Sequence, residues 1–348
     1  MLTCRARFWS KTDADIVSDI ANPISATIDF ARDGVQHGFL SLPHSHNDSA
    51  WGAVMIPVTQ VKNGDGPTAL LTGGNHGEEY EGPIALTKLR ASLAAADVHG
   101  RIIIVPAMNY PAFRAAARVS PIDGGNLNRS FPGDPRGSAT QKIADYFTRT
   151  LLPMADYVLD IHAGGKTLDF VPLAAMHRTG DLARDQASEA AMLAFGAPYA
   201  MYMTELDPAG LYDTEAEAQG KVFVTTELGG GGTVSPFSVA IAERGTANFL
   251  RHVGVLAGTA EPTEPPRLLD MDDPACFVQA TAPGIVEPCV KLGTSVWKDD
   301  VLARVWSVED PSRAPDTYVA GVDGILASRH FPSHIEAGDC LAVVAELA

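Results

Sequence analysis

Residues 71–86 read LTGGNHGEEYEGPIAL. A short apolar run, TALLTG (68–73), breaks into a glycine-rich turn carrying His76, Glu78, Glu79 and Glu81, and a helical stretch over residues 82–96 follows. Apolar residues bounded by turn signals suit a buried strand, and a proline near the start of the next stretch suits the first turn of a helix. Glycine-rich turns stabilise a chain poorly. A histidine and three carboxylates in such a turn therefore invite a chemical explanation.

The same pattern recurs on either side. WGAVMIPVTQVK (51–62) and RIIIVPA (101–107) read as strands, and SATQKIADYFTRTLLPMA (138–155) reads as a helix with Ser138 as its N-cap. DYVLDIHAGG (156–165) and KVFVTTELGGGG (221–232) are strands that run into glycines, and residues 181–196 and 236–256 read as helices. Strands alternating with helices predict a three-layer α/β/α domain around a mostly parallel mixed sheet. Open α/β sheets bind ligands beyond the carboxyl ends of their strands. Three of the strands end there in glycine-rich turns, which carry His76, His162 and Glu227.

After residue 256 the pattern changes. AGTAEPTEPPR (257–267) reads as a linker, which divides the chain into a catalytic domain over 1–256, with an N-terminal extension over 1–50, and a β-module over 268–348. Within the module, GIVEPCVKLGTSVWKDDVLARV from Gly284 resembles GILASRHFPSHIEAGDCLAVV from Gly324. Two similar β-units predict a small pseudo-symmetric all-β fold, similar to the biotinyl/lipoyl half-barrel. A carrier of that type needs a lysine at the tip between its halves. The connecting VEDPSRAPDTYVA (308–320) has none, so the module is read as a lid or packing unit, with an interface for homo-oligomers as a further reading.

The 42 acidic residues outnumber the 26 basic ones, for a formal charge of −16, which argues against a nucleic-acid groove or an anionic membrane surface. Cys4, Cys276, Cys289 and Cys340 form no C-x-x-C pair, so reduced thiols are expected. The opening MLTCRARFWSKTDADI has no apolar h-region, and no run approaches the length of a membrane span. A cytoplasmic location is expected.

His76 and Glu79 have the spacing H-x-x-E, which on a turn entering a helix brings both side chains to one point. Two imidazoles and a carboxylate suit zinc and leave a fourth position open; His162 is the natural third ligand. Alone, the pair also fits a turn histidine and a first-turn carboxylate favoured by the helix dipole. Glu227 suits a general base and acid, or else a carboxylate solvated by glycine amides. RVSPIDGGNLNRSFPGD (118–134) carries Arg118 and Arg129, which suit carboxylate recognition and oxyanion stabilisation or pairing with nearby acids.

Together, H-x-x-E, N-L-N-R-x-F-P-G, a strand-end histidine and T-E-L-G-G resemble the succinylglutamate desuccinylase/aspartoacylase family, zinc hydrolases related to the metallocarboxypeptidases. The resemblance spans roughly residues 50 to 250 and implies one zinc ion per subunit on His76, Glu79 and His162, with Glu227 as general base and acid. It further implies that Arg118 polarises the scissile carbonyl and that Asn128 and Arg129 grip the α-carboxylate of a small N-acyl amino acid. Asn126 departs from the D-L-N-R of aspartoacylases, and the spacer from Arg118 to Asn128 is longer than theirs. The longer loop, with HGEEYEG and ELGGGG, resembles a bacterial branch acting on N-acetylated 2,4-diaminobutyrate, which implies acetate and 2,4-diaminobutyrate as products. Desuccinylase, aspartoacylase and peptide carboxypeptidase activities are the alternatives, as is a metal-free binding module.

Other polar groups read more modestly. PHSHND (43–48) is a surface loop rather than a second metal site. Glu78 and Glu81 are expected beside the ligand Glu79 or in solvent. Asp160 either orients His162 or pairs within the core. His177, Tyr199, Tyr202 and Tyr212 either line the substrate pocket or pack.

Overall fold

A computed structural model describes residues 20–348 apart from residue 206. The opening stretch read for a leader, together with Cys4, lies outside them. At the centre, the strands Gly100–Val105, Thr68–Gly73, Tyr157–His162 and Val222–Glu227 lie side by side and parallel. Their residues alternate between two buried faces, which is why they read as unbroken apolar runs. Leu70, Ile103, Val158 and Phe223 meet Ile143, Phe147 and Tyr212 on one face. Leu71, Ile102, Leu159 and Val224 meet Leu86, Met192, Ile241 and Phe249 on the other. The expected α/β arrangement, with helices on both sides of a mixed sheet, is present.

The segment 138–155 is not one uniform helix. It is α-helical over Ala139–Tyr146, widens to a π-turn over Phe147–Leu151 and tightens to a 3-10 turn over Leu152–Met154. Pro153 has no N–H and its ring crowds the carbonyl four residues back, so the α-ladder cannot pass through it. Ser138 caps the start, its Oγ accepting from the Gln141 N–H.

The sheet extends well beyond its parallel centre. On one edge the strands Ala53–Asn63 and Gly34–Pro43 add antiparallel. On the other, Leu173–Met176 pairs antiparallel with Val222–Glu227, Tyr199–Tyr202 pairs parallel with Leu173–Met176, and Arg267–Asp270 pairs parallel with Tyr199–Tyr202. Cys340–Leu347 then joins Arg267–Asp270, with Leu347 opposite Leu269. The C-terminal β-structure thus continues the main sheet.

Within that β-structure the two repeats exchange short strands. Gly284–Pro288 pairs with Val301–Trp306, and Gly324–His330 pairs with Cys340–Leu347. Ser295–Val296 of the first repeat pairs with Gly324–His330 of the second, and His334–Ile335 of the second pairs with Gly284–Pro288 of the first. Leu302, Val305, Ile325 and Val344 share one apolar core with Leu173, Met201 and Leu269 of the main sheet. Among the described residues, no helix is long and apolar enough to cross a membrane.

Candidate active site

The Thr68–Gly73 strand ends against the helix Glu81–Ser92, and the chain turns through Gly74, whose φ is +61°. Gly77 lies flat against the helix Tyr110–Ala115: a Cβ there would sit 2.0 Å from the carbonyl carbon of Ala112. Only glycine allows that approach, which draws His76 and Glu79 inward from either side of it.

His76 Nδ1 lies 2.7 Å from Glu79 Oε1, and His162 Nδ1 lies 2.9 Å from Glu79 Oε2. His162 is the last residue of its strand and sits in register with Glu227 on the neighbouring strand. The ligand atoms of His76, Glu79 and His162 all lie within 4.8 Å of one another, and all three residues are buried. Burial works to raise the Glu79 carboxyl, but the two imidazoles overcome it and hold it far below the usual carboxylate range. Burial depresses His76. It works the same way on His162, where the Asp160 and Glu79 carboxylates outweigh it and raise the imidazole well above its ordinary value.

Asp160 does both things expected of it. Its Oδ2 lies 2.8 Å from His162 Nε2, while its oxygens accept from Thr72 Oγ1 at 2.7 Å and Asn75 Nδ2 at 3.1 Å. Glu78 and Glu81 are buried rather than solvated. Glu78 accepts from the Lys166 N–H, and Glu81 accepts from Ser238 Oγ and is pushed up to about 7 by burial.

Glu227 closes its strand beside this cluster with one buried carboxyl oxygen that has no hydrogen-bond partner among the described residues. Burial, reinforced by the Glu79 carboxylate, pushes it up to about 8. Arg118 reaches in from the loop, its Nη1 3.9 Å from Glu79 Oε1. Asn128 and Arg129 sit on a 3-10 turn, Leu127–Arg129. Asn128 Oδ1 accepts from the Tyr212 N–H at 3.0 Å, and Arg129 Nη1 donates to the Asn128 carbonyl at 2.7 Å. Asp123 braces this loop by accepting from the Thr140 N–H and Oγ1, each at 2.7 Å.

All these groups except the buried Glu79 border one cavity of about 350 Å³. Its far wall comes from the C-terminal β-structure and its approach strand: Met271, Phe277, Cys340 and Val343. A substrate there is enclosed by both halves of the chain, which leaves little room for a peptide running through.

Of the residues weighed for the pocket, Tyr212 is fully buried and packs on Phe131, Phe147 and Phe223. Tyr202 donates to Glu189 and lies under the Arg178 guanidinium, and Tyr199 faces Arg267. His177 instead joins Glu217, Glu205 and Asp213 at the end of the cavity. His44 and His46 stack on one another in a surface loop. Glu205 and Asp213 line the cavity and were not singled out from the sequence. The signal was their place beyond the short Tyr199–Tyr202 strand, which no glycine-rich turn advertises.

Comparison with known proteins agrees with this arrangement. The model of the succinylglutamate desuccinylase/aspartoacylase catalytic domain matches residues 65–253. The chain is 58% identical to an N-alpha-acetyl-L-2,4-diaminobutyric acid deacetylase of Halomonas elongata, over 94% of this chain and 96% of that one. Among solved structures, the product-bound ectoine utilization protein EutE of Ruegeria pomeroyi is 58% identical with a TM-score of 0.92, covering 94% of this chain and 99% of that one. A succinylglutamate desuccinylase/aspartoacylase from Rhodobacter sphaeroides is 40% identical with a TM-score of 0.89, over 94% and 100%. With its motifs at the ends of the strands and this likeness along nearly its whole length, the chain belongs to the succinylglutamate desuccinylase/aspartoacylase family.

Proposed function

We propose that this protein is a metal-dependent amidohydrolase that removes the acetyl group from Nα-acetyl-L-2,4-diaminobutyrate, releasing acetate and 2,4-diaminobutyrate. The observation that carries the reading is the convergence of His76, Glu79 and His162 in one cavity with the unpartnered oxygen of Glu227. The 58% identity to a deacetylase of that substrate supports the choice of acyl amino acid.

The donor set fits zinc. Two imidazole nitrogens face the two oxygens of one carboxylate, the His76 ring keeps its Nε2 without a partner, and Asp160 orients the His162 ring from behind. Left without a cation, this buried carboxylate relies on hydrogen bonds to the two rings alone. A zinc ion held by these three residues supplies the Lewis acidity that acidifies a water and polarises an amide carbonyl.

The chain's own groups do the rest. Glu227, raised by burial, takes the proton of the attacking water and hands it to the leaving nitrogen, so that the amine departs neutral. Arg118 donates to the carbonyl oxygen as negative charge develops there. Arg129 pairs with the α-carboxylate, and Asn128, its Oδ1 already used by Tyr212, offers its Nδ2 to the same group. The walls from the C-terminal β-structure exclude bulk water and strengthen each of these interactions.

We read residues 257–267 as the linker, residues 268–348 as a biotinyl/lipoyl-like module and the cytoplasm as the site of action; the reciprocal strand exchange supports the second of these. The decisive experiment loads the purified protein with zinc and offers Nα-acetyl-2,4-diaminobutyrate, Nα-acetyl-aspartate and Nα-succinyl-glutamate. Release of acetate from the first, abolished by a chelator and restored by zinc, is the expected result. Equal inertness of the zinc-loaded protein toward all three would refute the reading.

A further inference from the structure

Glu205 and Asp213 border the same cavity as the candidate metal ligands, at its other end. Neither Glu205 oxygen makes a hydrogen bond among the described residues, and its nearest cationic atom is His177 Nε2 at 3.9 Å. Asp213 spends Oδ1 on the Thr214 N–H and Oγ1 and leaves Oδ2 without such a bond. His177 gives its Nδ1 to Glu217 at 3.2 Å.

Burial opposes charge on His177, but its hydrogen bond to Glu217 and the nearby Asp213, Glu217 and Glu205 carboxylates raise it to about 9, so it is cationic at neutral pH. One imidazolium against three carboxylates leaves the group strongly negative. Burial, with repulsion from Asp213, raises Glu205, which is the behaviour of a carboxylate short of a counter-ion. Arg129 is not that counter-ion: its guanidinium hydrogen-bonds the Asn128 carbonyl and pairs with no carboxylate among the described residues. The cavity therefore has a positive pole at Arg129, a negative pole at Glu205 and Asp213, and a buried unpartnered imidazole nitrogen on His76 facing it.

We infer that Glu205 and Asp213 form a subsite for the side-chain ammonium of the substrate, and that they set the preference for a cationic side chain over a neutral or acidic one. The inference rests on the proposed deacylase reading. An ammonium has three N–H donors and no acceptor, and a pair of partly buried carboxylates with free lone pairs satisfies it. An N-acyl aspartate or glutamate would instead bring a further carboxylate against them, and the repulsion discriminates as effectively as the attraction.

The test compares Nα-acetyl-L-2,4-diaminobutyrate with Nα-acetyl-L-2-aminobutyrate, which lacks only the ammonium, on the zinc-loaded enzyme. For the parent, kcat/KM should favour the diamino substrate by roughly 10–100-fold, the range for a charged hydrogen bond. In Glu205→Gln and in Asp213→Asn that ratio should fall towards one, through KM for the diamino substrate more than through kcat. A parent that hydrolyses both alike, or variants that keep the parent's ratio, would overturn the subsite while leaving the deacylase reading intact. A parent inert towards both overturns the deacylase reading and the subsite with it. Zinc content supplies a second measure: one ion per chain in parent and variants is expected. Two ions in the parent falling to one in Glu205→Gln would overturn the inference, because the carboxylates would then be holding metal.

Discussion

His162 and Asp160 stand two residues apart on one strand, on the same face, and their side chains meet at 2.8 Å between Nε2 and Oδ2. The contact fixes which ring nitrogen of His162 turns towards Glu79, and it holds the ring against rotation. Partners of this type typically contribute 10–100-fold to metal affinity. Asp160→Asn should therefore weaken zinc binding by about one to two orders of magnitude, read by competition with a chromophoric chelator. Parent-like affinity would reduce Asp160 to a core residue held by Thr72 and Asn75.

Glu227→Gln keeps the shape of the side chain and removes its basicity. Turnover should fall by roughly 10²–10⁴-fold, while the zinc content of the purified protein stays at the parent's level. Steady-state kinetics with metal analysis on the same sample separates loss of the base from loss of the metal.

Arg129→Ala should raise KM for the acyl amino acid far more than it lowers kcat, since the guanidinium grips a group remote from the reacting amide. Arg129→Lys should recover only part of the loss, because an ammonium cannot reproduce the two-pronged contact. An effect confined to kcat would move Arg129 from binding to chemistry.

Asp123 links the loop bearing Arg118 and Arg129 to the helix Ala139–Tyr146. Burial works to raise its carboxyl, but hydrogen bonds from Thr140, Ser138 and Gly125 overcome this and bring it down to about 2. A group whose pKa is lower folded than unfolded adds stability above its unfolded value and loses it as the pH falls through the folded one. The brace should thus be at full strength above about pH 4 and fade between about pH 4 and pH 2. Melting curves across that range should show the parent losing stability more steeply than Asp123→Asn, and parallel curves would remove Asp123 from the account.

Much of this was legible in the chain. The central strands announce themselves because both faces are buried: Leu70 and Leu71, or Ile102 and Ile103, look alike in sequence although they point to opposite layers. The candidate ligands were legible because they follow those runs in glycine-rich turns, where a side chain has no structural reason to be polar. Short strands such as Leu173–Met176 and Tyr199–Tyr202 carry too few residues for a period to show, and the Gly34–Pro43 strand lay hidden in what read as an extension. With Tyr199–Tyr202 unseen, the end of that strand was unseen too, and with it Glu205. That Met271, Phe277, Cys340 and Val343 would close the cavity depends on the path of the Arg267–Asp270 strand, a long-range pairing that local patterns do not encode.

That strand is hydrogen-bonded to Tyr199–Tyr202 on one side and to Cys340–Leu347 on the other, so the ceiling over the chemistry hangs from the same beam as the floor. It has no hinge on which to swing, and tilting it would break the ladders on both flanks. Reactants must come and go through a fixed window, and their size is judged by a doorway rather than by a closing gate. Trimming even a few residues from the C-terminal end would loosen the masonry of the chamber itself.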